Sequence, residues 1–103
     1  MPSTYLEKKR SPNYKSNQAR YTRTRKHRTR VQLDKLKNAP CSDCKNIFPP
    51  ECMDFDHVIG IKNFDIGDGW SNSWGIILAE IAKCELVCAN CHRIRTRKRK
   101  HSL

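Results

Sequence analysis

The sequence predicts a small zinc-stabilised α+β domain with flanking helices and a basic N-terminal arm. Three observations carry this. A chain of 103 residues, only 37% of them hydrophobic, buries too little apolar surface to rely on its core alone, so extra fastening is expected. Six cysteines, at 41, 44, 52, 84, 88 and 91, include two Cys-x-x-Cys pairs that can supply it. Between those pairs lie both strand-like alternation and helix-like periodicity.

Taken in order, residues 1–16 hold two prolines and little apolar content and read as a mobile tail. From about residue 18 to 37 the chain is rich in Arg and Lys. Here Arg20, Arg23, Arg25, Lys26, Arg28 and Arg30 occupy nearly every side of any helix. Such a segment forms a helix with Val31 and Leu36 touching the core, or it orders only on phosphate; the helix is the preferred reading. Ala39-Pro40 ends it. Domain organisation follows: residues 1–38 are a basic arm, and residues 39–103 are the domain with a basic C-terminal helix.

Pro49-Pro50 enforces an extended approach to Glu51–Val58. There Met53 and Phe55 alternate with Asp54 and Asp56 as in a short strand. Gly60 permits a turn, and 59–71, with three glycines among Asn and Asp, reads as an irregular loop. Ser71 or Ser73 caps a helix starting near Trp74, whose Trp74, Ile77, Leu78 and Ile81 form one apolar stripe. That helix ends near Lys83. Cys84–Val87 is a second short strand, and residues 89–99 are a helix whose far half is cationic.

Charge is unevenly placed. Residues 1–39 carry 12 Lys and Arg against 2 acids, residues 40–85 carry 3 against 8, and residues 86–103 carry 6 against none. An acidic centre between basic arms suits a cation site held against a polyanion, although solvated charge runs would give the same count. The N-terminus has no apolar core of a signal sequence, and no apolar run reaches the roughly 18 residues of a membrane span. A cytoplasmic, reducing setting without a membrane partner is therefore expected, and it favours metal over disulfides.

Cys41-x-x-Cys44 and Cys88-x-x-Cys91 are two knuckles of the kind that close a tetrahedral four-cysteine structural zinc site, because two intervening residues let both sulfurs turn toward one ion. Disulfides and a redox pair are the alternatives. Cys52 and Cys84 read as small buried hydrophobes, either of which could displace one of the four ligands. Asp56-His57, at the end of the first strand, and His92, just inside the last helix, offer a carboxylate and an imidazole from separate elements. Together they make a two-ligand site with open positions for water and phosphate.

Asp56-His57 after a Cys-x-x-Cys, followed by Glu80-Ile81-Ala82-Lys83-Cys84-Glu85-Leu86-Val87-Cys88-Ala89-Asn90-Cys91-His92-Arg93, resembles the HNH endonucleases of the small, zinc-bearing phage and bacterial type. The resemblance covers roughly residues 39–98. It implies a ββα-metal fold around one divalent cation, Mg²⁺ or Mn²⁺ with Ni²⁺ or Zn²⁺ as further candidates. It also implies that Asp56 and His92 are metal ligands and that His57 is the general base that takes a proton from the attacking water. A middle Asn that braces the loop carrying the base has no clear counterpart. Lys83 stands where that Asn often lies, and Asn63, Asn72 and Asn90 are stand-ins, with helix capping as the other role for Asn90.

The implied function is metal-dependent hydrolysis of DNA phosphodiester bonds, by nicking or double-strand cleavage. The resemblance also implies a phage-encoded protein acting in the host cytoplasm, either in DNA packaging, with phage packaging proteins as partners, or in mobile-element spread. Arg20, Arg23, Arg25, Arg28, Arg30, Arg93, Arg95 and Arg97 are the expected phosphate contacts, with Lys98, Arg99 and Lys100 adding to the neutralising charge, and duplex DNA is the expected partner, since aromatic residues among them are sparse. The alternatives are a non-catalytic zinc-ribbon module that only binds nucleic acid, and a degenerate HNH fold that serves as a partner-binding subunit.

Overall fold

A run of residues with almost no apolar periodicity nevertheless makes the longest element, because its last turns find a core to rest on. The computed structural model describes residues 12–101. Helix α1 spans Pro12–Leu36, and β1 spans Met53–His57. Helix α2 spans Trp74–Ile81, β2 spans Cys84–Cys88 and α3 spans Ala89–His101. Short 3-10 turns cover Pro50–Cys52 and Ile66–Ser71. None of these helices is long and apolar enough to cross a membrane.

Helix α1 begins earlier than the sequence suggests, so the tail expected over residues 1–16 is helical from Pro12, and its first 11 positions lie outside the described residues. The buried positions also differ. Val31 is 40% exposed and Leu36 41%, whereas Leu33 is 7% exposed and Thr29, one turn earlier, 8%. Spacing at i and i+4 puts Thr29 and Leu33 on one face. Leu33 packs with Ile66 and Ile77, and Phe55, Phe64, Trp74, Ile81 and Cys84 close around them. The last turns of α1 therefore belong to the body of the domain, although the sequence places the boundary after residue 38.

The strands pair antiparallel, with Met53 opposite Cys88, Phe55 opposite Leu86 and His57 opposite Cys84. Met53 and Val87 join Cys41 and Cys88 in a second apolar cluster, flanked by Phe48, Leu86 and Cys91. The loop expected over 59–71 contains the 3-10 turn at Ile66–Ser71. There Gly69 lies so close to Phe64 that a side chain carbon would sit 2.4 Å from its ring. Gly60, at φ +70°, makes the reversal after β1 in a conformation that other residues avoid.

Ser73 caps α2, its Oγ accepting from the Ile76 N–H at 3.4 Å. Ile77 is fully buried on the expected stripe, but Leu78 is 41% exposed. The next inward position is Glu80 instead, 2% exposed. Cys52 is exposed rather than buried, while Cys84 is half-buried. Burial, with the charges of Glu80 and Asp56, pushes the Cys84 thiol up to about 11, so it stays neutral.

Candidate metal centre and active-site cleft

The knuckle at Cys41–Cys44 is folded by its own backbone. The Cys41 N–H donates to Asn46 O at 2.9 Å, the Lys45 N–H donates to Cys41 O at 3.0 Å, and the Ser42 N–H donates to Leu86 O at 2.8 Å, tying the turn to β2. The second knuckle runs from the end of β2 into α3. As a result the four sulfurs of Cys41, Cys44, Cys88 and Cys91 lie within 4.8 Å of one another, with Cys44 Sγ 4.0 Å from Cys88 Sγ. A zinc ion bound at about 2.3 Å by tetrahedral sulfurs needs them roughly 3.8 Å apart.

The chemistry of the set fits as well. Burial alone would raise the Cys41 thiol, but the N–H groups of Cys44, Cys88 and Asp43 outweigh it and bring it down to about 6. Cys91, hydrogen-bonded to the Cys88 sulfur and crowded by the other thiols, is pushed up to about 12. Four thiols too close to ionise together are what a divalent cation relieves. The cluster can therefore bind a structural metal such as zinc. It clamps the start of α3 to β2 and the first knuckle.

One turn into α3, His92 turns back over β1. Its Nδ1 lies 3.0 Å from Asp54 Oδ2 and its Nε2 3.5 Å from Asp56 Oδ1. Both carboxylates project from the same side of β1, as the two-residue period requires. His57, Asp54, Asp56 and His92 line a single cleft of about 560 Å³, which Lys37, Lys62 and Asp65 also line. Of the three residues assigned from sequence, His92 approaches Asp56, and His57 lines the same cleft with its Nε2 on Glu80. Asp54 joins them as a residue that sequence reasoning missed, although its place two residues before Asp56 is a readable signal.

Compared with family models, curated proteins and solved structures, the chain matches none.

Asp56 is 4% exposed and is held from α3. Arg99 donates to both of its oxygens, at 2.9 and 2.7 Å, and Arg95 donates to Oδ2 at 2.9 Å. The Arg99 hydrogen bonds, with that of Arg95, outweigh burial and keep the Asp56 carboxyl down at about 2. Arg95 also grips Asp43 through two bonds of 2.7 and 2.6 Å and reaches Glu85 at 2.9 Å. Expected as a phosphate contact, Arg95 is instead spent inside the fold, one helical turn before Arg99 on the inward face of α3. Arg25 is likewise engaged, donating to Ser71 O at 3.2 Å.

The other face of α3 carries Arg93, Arg97 and Lys100, which with Asp54, His92 and Thr96 line an adjoining groove. Arg20, Arg23, Arg28 and Arg30 are exposed along α1.

The loop after His57 is braced without an Asn at 83. The Val58 and Ile59 N–H groups donate to Lys83 O at 2.9 and 3.2 Å, and Lys83 Nζ donates to Ile61 O at 2.7 Å. Asn63 bonds Glu80 through its backbone N–H at 3.0 Å and its side chain at 3.3 Å. Among the described residues Asn72 donates only to Gly69 O. Asn90 is exposed in the first turn of α3, and among the described residues it has no hydrogen bond to this loop.

Proposed function

We propose that the chain is a metal-dependent endonuclease of the HNH type that hydrolyses DNA phosphodiester bonds, with β1, β2 and α3 forming its ββα-metal core. The observation that carries this reading is the approach of His92 to Asp54 and Asp56, on a helix whose start is held by the cysteine cluster, with His57 on the same cleft.

Asp56 and the His92 Nε2 that faces it at 3.5 Å offer a carboxylate and an imidazole to a hard divalent cation. When bound there, such a cation supplies charge neutralisation at the phosphate and the leaving oxygen. The chain's own residues do the rest. Asp56, held far below neutral pH, stays anionic. Arg99 is 51% exposed and can swing away to free an Asp56 oxygen. His57 takes a proton from the attacking water, the general-base role an imidazole can serve. Arg93, Arg97 and Lys100 track the backbone phosphates of duplex DNA.

A second reading has an observation in its favour. With both Asp56 oxygens on guanidinium groups, the cluster also suits a non-catalytic zinc module that only binds nucleic acid.

Supercoiled plasmid incubated with the protein and Mg²⁺ or Mn²⁺ separates the two. The nuclease reading expects nicked or linear product, with the rate reduced about 100-fold or more in His57→Ala and Asp56→Ala. DNA retained without cutting, or a His57→Ala variant that cuts like the parent, would sink it in favour of the binding module.

A further inference from the structure

A glutamate at a fully buried position of an apolar stripe is costly unless several donors surround it, and Glu80 has four. His57 Nε2 lies 2.9 Å from Oε2, which also receives the Asn63 N–H. Oε1 receives Lys83 Nζ at 2.9 Å and Asn63 Nδ2 at 3.3 Å. With both oxygens engaged, the carboxylate cannot turn. It is fixed relative to β1 by packing, because Ile77, one turn earlier on α2, is locked in the core with Leu33.

We propose that Glu80 is the positioning residue for His57, fixing the imidazole as its Nε2–H tautomer and leaving Nδ1 as the nitrogen that accepts a proton in the cleft. This rests on the nuclease reading above. An ionised carboxylate can only accept, so the nitrogen facing it must donate. The Lys83 hydrogen bond, against burial and with the Asn63 N–H, holds Glu80 ionised with its carboxyl at about 2. Among the described residues Nδ1 has no hydrogen-bond partner, and the ring is 16% exposed, so its free edge belongs to the cleft lined by Asp54, Asp56 and His92. Lys83, Asn63 and Glu80 together do what a bracing Asn would do: they hold the loop and the base in one network.

Long-range proton–nitrogen correlation on zinc-loaded protein labelled at histidine nitrogens, at a pH where the ring is neutral, reads the tautomer without DNA. The expected result for the parent is a single Nε2–H form at His57, and an Nδ1–H form overturns the proposal whether or not any variant folds. In Glu80→Gln, with zinc content retained, the tautomer preference is expected to weaken. Its kcat for plasmid cleavage is expected to fall about 10–100-fold with KM within about twofold, the usual size of such supporting effects. Unchanged tautomer and unchanged kcat also overturn it. A parent that holds Nε2–H yet cuts no plasmid overturns the nuclease reading alone.

Discussion

Arg99 closes on Asp56 through two parallel hydrogen bonds, joining α3 to β1 across 43 residues of chain. The same carboxylate is the candidate cation ligand, so one buried group serves both the fold and the proposed chemistry. Its effect on stability has a definite sign. The folded carboxyl sits at about 2, below an unfolded value of roughly 3.9. Its contribution is therefore complete above about pH 5 and disappears as pH falls through 4 toward 2. It amounts to about 2.6 kcal/mol by linkage. Urea midpoints of the parent and Asp56→Asn should differ most at pH 6 and converge near pH 2. Zinc loss in acid acts on both proteins and cancels in that difference. A gap that widened on acidification would contradict the assignment.

Releasing Arg99 should favour the cation. Two guanidinium groups now neutralise Asp56, and a divalent ion must compete with them for its oxygens. Arg99→Gln leaves Arg95 in place and removes the more exposed competitor. The Mn²⁺ concentration that half-saturates the site, read from the loss of free-ion electron paramagnetic resonance, should fall several-fold. Weaker Mn²⁺ binding in this variant would mean that Arg99 shapes the site rather than competes for it.

Zinc should be bound at one ion per chain, measured by native mass spectrometry. A closed four-sulfur site contributes folding free energy outright, so Cys41→Ser and Cys88→Ser should lose the metal and melt well below the parent. Cys52→Ser and Cys84→Ser should keep it, because neither belongs to the four clustered sulfurs. Metal loss in either of the latter would reassign a ligand.

These outcomes bear on what the sequence could reveal. The cysteine pairs, the Ser73 cap and the alternation of β1 were legible because each depends on neighbours a few residues apart. The core face of α1 was not. Apolar residues are too few among the arginines of α1 to set a phase, and packing against Ile66 and Ile77 selected Leu33 over Val31 and Leu36. The roles of Arg95 and Glu80 were hidden for a related reason. An arginine in a cationic run looks like every other, and only the acidic residues facing α3 separate Arg95 and Arg99 from Arg93 and Arg97. Glu80, falling on the apolar stripe at three residues from Ile77, was the one readable anomaly.

The two faces of α3 should behave differently toward DNA. Arg93 and Arg97 line an open groove beside His92, whereas Arg95 is engaged with Asp43, Asp56 and Glu85. Removing one phosphate-neutralising side chain lowers the slope of log affinity against log salt by about 0.9. Arg93→Ala and Arg97→Ala should therefore each flatten that slope by nearly one, without changing preference among duplex sequences and with little effect on melting. Arg95→Met should leave the slope intact and instead cost about 1.5–3 kcal/mol of stability, the usual range for hydrogen bonds to charged partners. Fluorescence anisotropy at several salt concentrations, paired with urea unfolding, measures both quantities on each variant. A flattened slope for Arg95→Met at unchanged stability would place that side chain on the DNA after all, and the network that fixes Asp56 would then need another source of its order.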